Sequence, residues 1–216
     1  MEGLFKDLDI ISPFIVLLYV IIFRKIKGDS RIIFYYLLMQ FVLNLGASVL
    51  YLRFVINNIW VYQLNCFFSF FLLVIFFRKI NPFWRRFDKK NILSGLFMLL
   101  LAIIIFSENR NAFNSISYTI VSIALTFLCL NYYWFLVKET PLVSIYKNEF
   151  FFFVTGLLIY YSSNILVFAS YRILTLDHLQ TMSFWLLWKF HNFMLAVMCI
   201  FILKGFTCVT LPKTRS

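Results

Sequence analysis

The residue with the most chemistry attached to it is Lys189, inside an apolar run that covers 181–204. A charge at bilayer depth costs roughly 3 kcal/mol on insertion scales, so such a side chain is kept mainly where it has a task. Counted from Thr181 at 1.5 Å per residue, Lys189 lies about 12 Å below the boundary of its run. Trp185, Lys189 and Asn192 share one helical face by i+4 and i+3 spacing, with Trp188 and His191 on its flank. The preceding run sets Gly156, Tyr160 and Asn164 in one row with Ser163 beside it, and the second run carries Tyr36, Gln40, Asn44 and Ser48 in a single stripe. Gln63 in the third run reaches a depth comparable to Asn44 and Asn164. These spacings allow a polar cavity in the outer half of a bundle, where the ammonium group binds a polar or anionic small ligand. The plainer alternative is that the amides and hydroxyls are packing hydrogen bonds of about 0.6 kcal/mol each, and that Lys189 snorkels outward.

Other chemistries find little support. The acids are Glu2, Asp7, Asp9, Asp29, Asp88, Glu108, Glu139, Glu149 and Asp177, and all fall in termini, loops or helix ends. A carboxylate proton relay, an acidic cation site or an aspartyl-type intramembrane protease each needs acids at depth. His191 is the only histidine inside an apolar run, and neither G-x-S-x-G nor H-E-x-x-H accompanies it. Cys66, Cys129, Cys199 and Cys208 show no CxxC spacing, so no disulfide or metal framework is expected. A lysine in the last run superficially resembles a retinal protein, but the third run offers only Gln63, Asn65 and Ser69 as counter-ions to a Schiff base. The expectation is a protein without enzymatic activity, metal or cofactor.

The elements that must position these residues follow from composition. Of 216 residues, 62% are apolar and 13% charged, a balance that polar surface could not cover in water. A spanning helix needs about 20 residues, and windows of about 19 residues give seven apolar runs: 9–24, 32–52, 56–77, 92–107, 113–137, 149–171 and 181–204. They are continuous, unlike the short alternating segments of a membrane barrel. The expected fold is therefore all-α, a single polytopic bundle of seven transmembrane helices. Pro13 is expected in a first turn, while Pro82, Pro141 and Pro212 fall between or after runs. Met1 to Asp9 hold one lysine against three acids and no small-residue cleavage pattern follows, so the first run reads as a retained helix.

The net charge of +11 takes its meaning from location. After runs one, three, five and seven stand fifteen cations: Arg24, Lys25, Lys27, Arg31; Arg78, Lys79, Arg85, Arg86, Lys89, Lys90; Lys138, Lys147; Lys204, Lys213 and Arg215. The other side holds four, Lys6, Arg53, Arg110 and Arg172. Positive residues stay cytoplasmic, so the N-terminus is expected outside and the C-terminus inside. Trp60 and Tyr62 near one boundary, and Tyr132, Tyr133 and Trp134 near the other, fit aromatic belts. The basic loop from Arg78 to Lys90 is expected to contact anionic lipid headgroups or an acidic cytoplasmic partner, and nucleic acid is not expected.

Three stretches carry a resemblance: Asn58 to Tyr62, Gly156 to Asn164, and Trp188 to His191. They resemble a group of seven-helix inner-membrane proteins of Bacteroidota. The resemblance implies a small membrane protein serving a sensor kinase, with His191 and Asn164 at recurring polar positions and Ser69 where the pattern has an acid. The functional expectation is a receptor-like or signal-transducing subunit of the bacterial inner membrane. The alternatives are a small-molecule transporter or channel, and a ligand-free structural subunit. A water path through both halves would mark transport, whereas a polar cavity closed by the aromatic inner half would mark sensing.

Overall fold

The computed structural model describes residues 7–23, 25–26, 28–54, 58–87, 92–107, 115–139, 147–176 and 181–208, with side chains apart from those of 87, 106, 139 and 172–185. Among them are eight α-helices and no strand: α1 Leu8–Ile22, α2 Ser30–Phe54, α3 Ile59–Ile80, α4 Pro82–Phe87, α5 Ile92–Ser107, α6 Ser115–Glu139, α7 Glu149–Leu176 and α8 Thr181–Cys208. Five of these, α2, α3, α6, α7 and α8, are long and apolar enough to cross a membrane. Long apolar runs become helices because a helix satisfies every backbone group internally, which hydrocarbon demands.

Polarity is reversed relative to a water-soluble domain. Leu166, Val137 and Ile200 are 72%, 70% and 66% exposed, while Gln40, Asn44, Asn65, Asn164 and Asn192 are buried. A bilayer rewards this arrangement, since the tails solvate leucine and the amides find partners only between helices. The chain is a multi-pass membrane protein.

The helices close on one another. α1 packs on α2 and on α8, α2 on α3, α3 on α6, α6 on α7 and α7 on α8, which makes a six-helix ring. α5 stands outside it against α3 and α6, bordering an apolar groove of about 450 Å³ lined by Phe70, Val74, Phe97 and Phe127. A close seam runs between α7 and α8 at Gly156, where a Cβ would come within 2.9 Å of both the Met198 carbonyl oxygen and Phe201 Cβ. A small residue there lets the two backbones meet.

Each of the seven apolar runs coincides with a helix, and the ends differ by no more than five residues. Two features differ in kind. Pro13 is the sixth residue of α1, not a first-turn proline, because the helix starts at Leu8. The segment read as the basic loop contains α4, which Asn81 starts: its Oδ1 accepts the N–H groups of Phe83 and Trp84 at 3.0 and 3.4 Å. Pro82 takes the first helical position, where its missing N–H costs nothing. Asn81 Nδ2 also donates to Asn131 Oδ1 at 2.7 Å, tying the turn to α6. Arg85 and Arg86 are exposed on α4, Arg78 lies in the last turn of α3, and Lys79 pairs with Asp29 at 3.3 Å. Lys89 and Lys90 lie outside the described residues.

Candidate functional site

Inside the ring, towards the end where α1 begins, lies a polar chamber of about 30 Å³. Every ring helix contributes to its wall: Asp9 from α1, Asn44 from α2, Asn65 from α3, Tyr118 from α6, Asn164 from α7 and His191 from α8. A single water needs roughly 10–15 Å³ of such space, so the chamber has room for about two waters or one small ion.

Its α2–α3 wall is a hydrogen-bonded amide network. Gln40 Nε2 donates to Asn65 Oδ1 and to Ser69 Oγ, both at 2.8 Å, and Asn65 Nδ2 returns a bond to Gln40 Oε1 at 2.9 Å. Asn65 Nδ2 also reaches Asn44 Oδ1 at 3.3 Å, and Ser69 Oγ donates to Asn65 Oδ1 at 2.9 Å. The i+4 spacings Gln40/Asn44 and Asn65/Ser69 aim each pair at the other helix.

Asp9 enters this wall through the backbone of α1. Pro13 has no N–H, so the carbonyl four residues earlier, that of Asp9, loses its helical donor. Asn44 Nδ2 supplies the replacement, donating to the Asp9 carbonyl oxygen at 3.1 Å. The bond fixes the first turns of α1 against α2 and holds the Asp9 side chain at the chamber. Its Oδ1 is buried and accepts no hydrogen bond among the described residues. Asp9 is the only acid among the described lining residues.

The α7–α8 wall centres on His191. Its Nδ1 meets Asn164 Oδ1 at 2.9 Å, and the rings of Phe168, Trp188 and Tyr160 surround the imidazole at 5.3, 5.4 and 5.5 Å between centroids. An Nδ1 that faces an amide oxygen is the protonated one, which leaves Nε2 as the acceptor in the neutral ring. Tyr62 stands edge-on to Trp188, and Tyr118 OH donates to the Tyr62 carbonyl oxygen at 2.7 Å.

Below the chamber the ring is filled by aromatic side chains. Phe76 lies 6.1 Å from Phe150 and 6.5 Å from Phe153, and Phe153 lies 4.9 Å from Phe206. Phe76, Phe77, Phe153 and Phe206 are fully buried. Tyr36 and Tyr161, whose hydroxyls meet at 3.1 Å, separate this layer from the network above.

The structure gathers Gln40, Asn44, Tyr160, Asn164 and His191 around one space, and Trp188 joins them. Lys189 does not belong to it: the ammonium residue is partly buried on another face of α8, about 160° from His191 at 100° per residue. Asn192 is fully buried but does not line the chamber, and neither does Gln63, whose Nε2 is buried with no hydrogen-bond partner among the described residues. The side chain of Trp185 lies outside the described residues. Sequence reasoning missed Asp9, Asn65, Ser69 and Tyr118 as members of the wall. For Asp9 the signal was available: a proline four residues on frees its carbonyl and asks for an outside donor.

Comparisons of the chain with family models, with curated proteins and with solved structures returned no match.

Proposed function

We propose that this protein is a receptor-like, signal-transducing subunit of a bacterial inner membrane, with seven spanning helices, the N-terminus outside and the C-terminus in the cytoplasm. The observation that carries the reading is a polar chamber closed on its far side by fully buried phenylalanines. A transporter or channel requires a polar path through both halves, whereas a receptor requires a site reached from one face and a packed body that passes on its state.

Orientation rests on the fifteen-to-four division of Lys and Arg, which puts Arg78, Lys79, Arg85 and Arg86 on the cytoplasmic side with Trp134 and Lys138. The Lys138 ammonium sits 4.5 Å over the Trp134 ring, in keeping with an interfacial pair. α1 and α5, at 15 and 16 residues, are short for a bilayer of about 30 Å. Chain order nevertheless supports seven crossings: α3 ends and α6 begins at opposite ends of the bundle, so α5 covers the distance between them. Local thinning and snorkelling accommodate the shortfall.

The basic cytoplasmic face is the docking surface for the partner, a sensor kinase or another membrane-complex subunit with an acidic contact region. A reporter fused after Ser216 should face the cytoplasm, and crosslinking in native membrane should trap a partner through Arg85 and Arg86. Purified chain in sealed vesicles should leave ion permeability unchanged. A C-terminus labelled from outside refutes the topology, and ion flux in vesicles refutes the receptor reading in favour of transport.

A further inference from the structure

We infer that the chamber binds a small monovalent cation, an alkali ion or ammonium, on the carboxylate of Asp9. This deepens the receptor reading and rests on it for its biological meaning. The lysine that made an anionic ligand attractive is not part of the wall, and among the described residues the ionisable acid the chamber does hold is the carboxyl of Asp9, whose Oδ1 is buried and accepts no hydrogen bond from them. A carboxylate kept ionised in hydrocarbon needs an opposite charge.

The rest of the wall suits a cation. Among the described residues, the amide oxygens of Asn44 and Gln40 each accept a bond from Asn65, and each keeps a second lone pair. Tyr62, Tyr160 and Trp188 also line the chamber, and aromatic side chains are compatible with a positive charge beside them. Charge and volume then fix the class. One carboxylate balances one positive charge, since divalent sites gather several, and about 30 Å³ admits an alkali ion or ammonium while excluding an organic cation.

The test uses purified full-length chain in detergent, with chloride constant and N-methylglucamine replaced stepwise by sodium, potassium or ammonium. At least one of the three should raise the melting temperature with the logarithm of its concentration, by about 3–5 °C for each tenfold excess over Kd in a chain of this size. Intrinsic tryptophan fluorescence, to which Trp188 at the chamber contributes beside Trp60, Trp84, Trp134 and Trp185, should change with the same ion and saturate. D9N should lose the response, whereas D7N and K189M should keep it. Because the fluorescence titration needs only the wild-type protein, a D9N variant that fails to fold leaves the question decidable. Identical melting in all four salts, or a response that survives D9N, overturns the inference. Cation binding without any partner-dependent output refutes the receptor reading and supports this one, whereas output in the absence of cation binding does the reverse.

Discussion

Asn65 is the side chain on which the α2–α3 wall depends, and its replacement by leucine tests the network quantitatively. Four hydrogen bonds end on its amide, two with Gln40 and one each with Asn44 and Ser69. Bonds between membrane helices average about 0.6 kcal/mol in double-mutant cycles, so N65L should lose about 2.4 kcal/mol. Gln40 keeps its bond to Ser69, but Gln40 Oε1 and Asn44 Oδ1 lose their donor. The assay is equilibrium unfolding of purified chain in mixed detergent and dodecyl sulfate micelles, read by circular dichroism. Q40L and the double variant complete a cycle. Two of the four bonds are shared with Gln40, so the double variant should lose about 1.2 kcal/mol less than the single losses added together. Additivity within about 0.3 kcal/mol, or an N65L protein as stable as wild type, would falsify the claim that these amides act as a unit.

Further outcomes follow from the same geometry. G156A should destabilise by roughly 1–3 kcal/mol in the same unfolding assay, because a Cβ meets the backbone of Met198 and cannot be relieved by a rotamer change. N44A should cost less in a P13A background than in wild type, since alanine in place of Pro13 restores the helical N–H that the Asp9 carbonyl lacks; equal costs in both backgrounds, measured by unfolding, would refute that link. K189M should fold at least as well as wild type and leave the chamber's cation response unchanged, as a residue outside the wall must. N81A should lower stability by about 1 kcal/mol through the lost cap of α4, and it should weaken crosslinking through Arg85 and Arg86, which α4 presents.

Composition and apolar run length were enough to read the helices. A run such as 149–171 contains no proline and no charge beyond its first residue, so α7 has no competing structure in lipid, and only its far end extends past the run, to Leu176. α4 escaped because six residues leave no periodic signal, although Asn81-Pro82 is a start signature that local reasoning can find. The stripe Gln40/Asn44 and the row Tyr160/Asn164 were also legible, since i+4 spacing is a property of the helix itself.

Which stripes face one another was not legible. Lys189 looked central because insertion cost ranks residues singly, and that ranking is blind to the side of α8 that the ring encloses. The interior face was set instead by close approach at Gly156 and by the amide pairing of α2 with α3. Asp9 looked peripheral because it lies two residues into a helix, yet Pro13 and Asn44 together draw that end of α1 inward. The residue types and their helical faces belong to the sequence, because they follow from local geometry. The sign of the charge inside the chamber belongs to the tertiary structure, because it depends on which faces six helices turn towards a common axis when they pack.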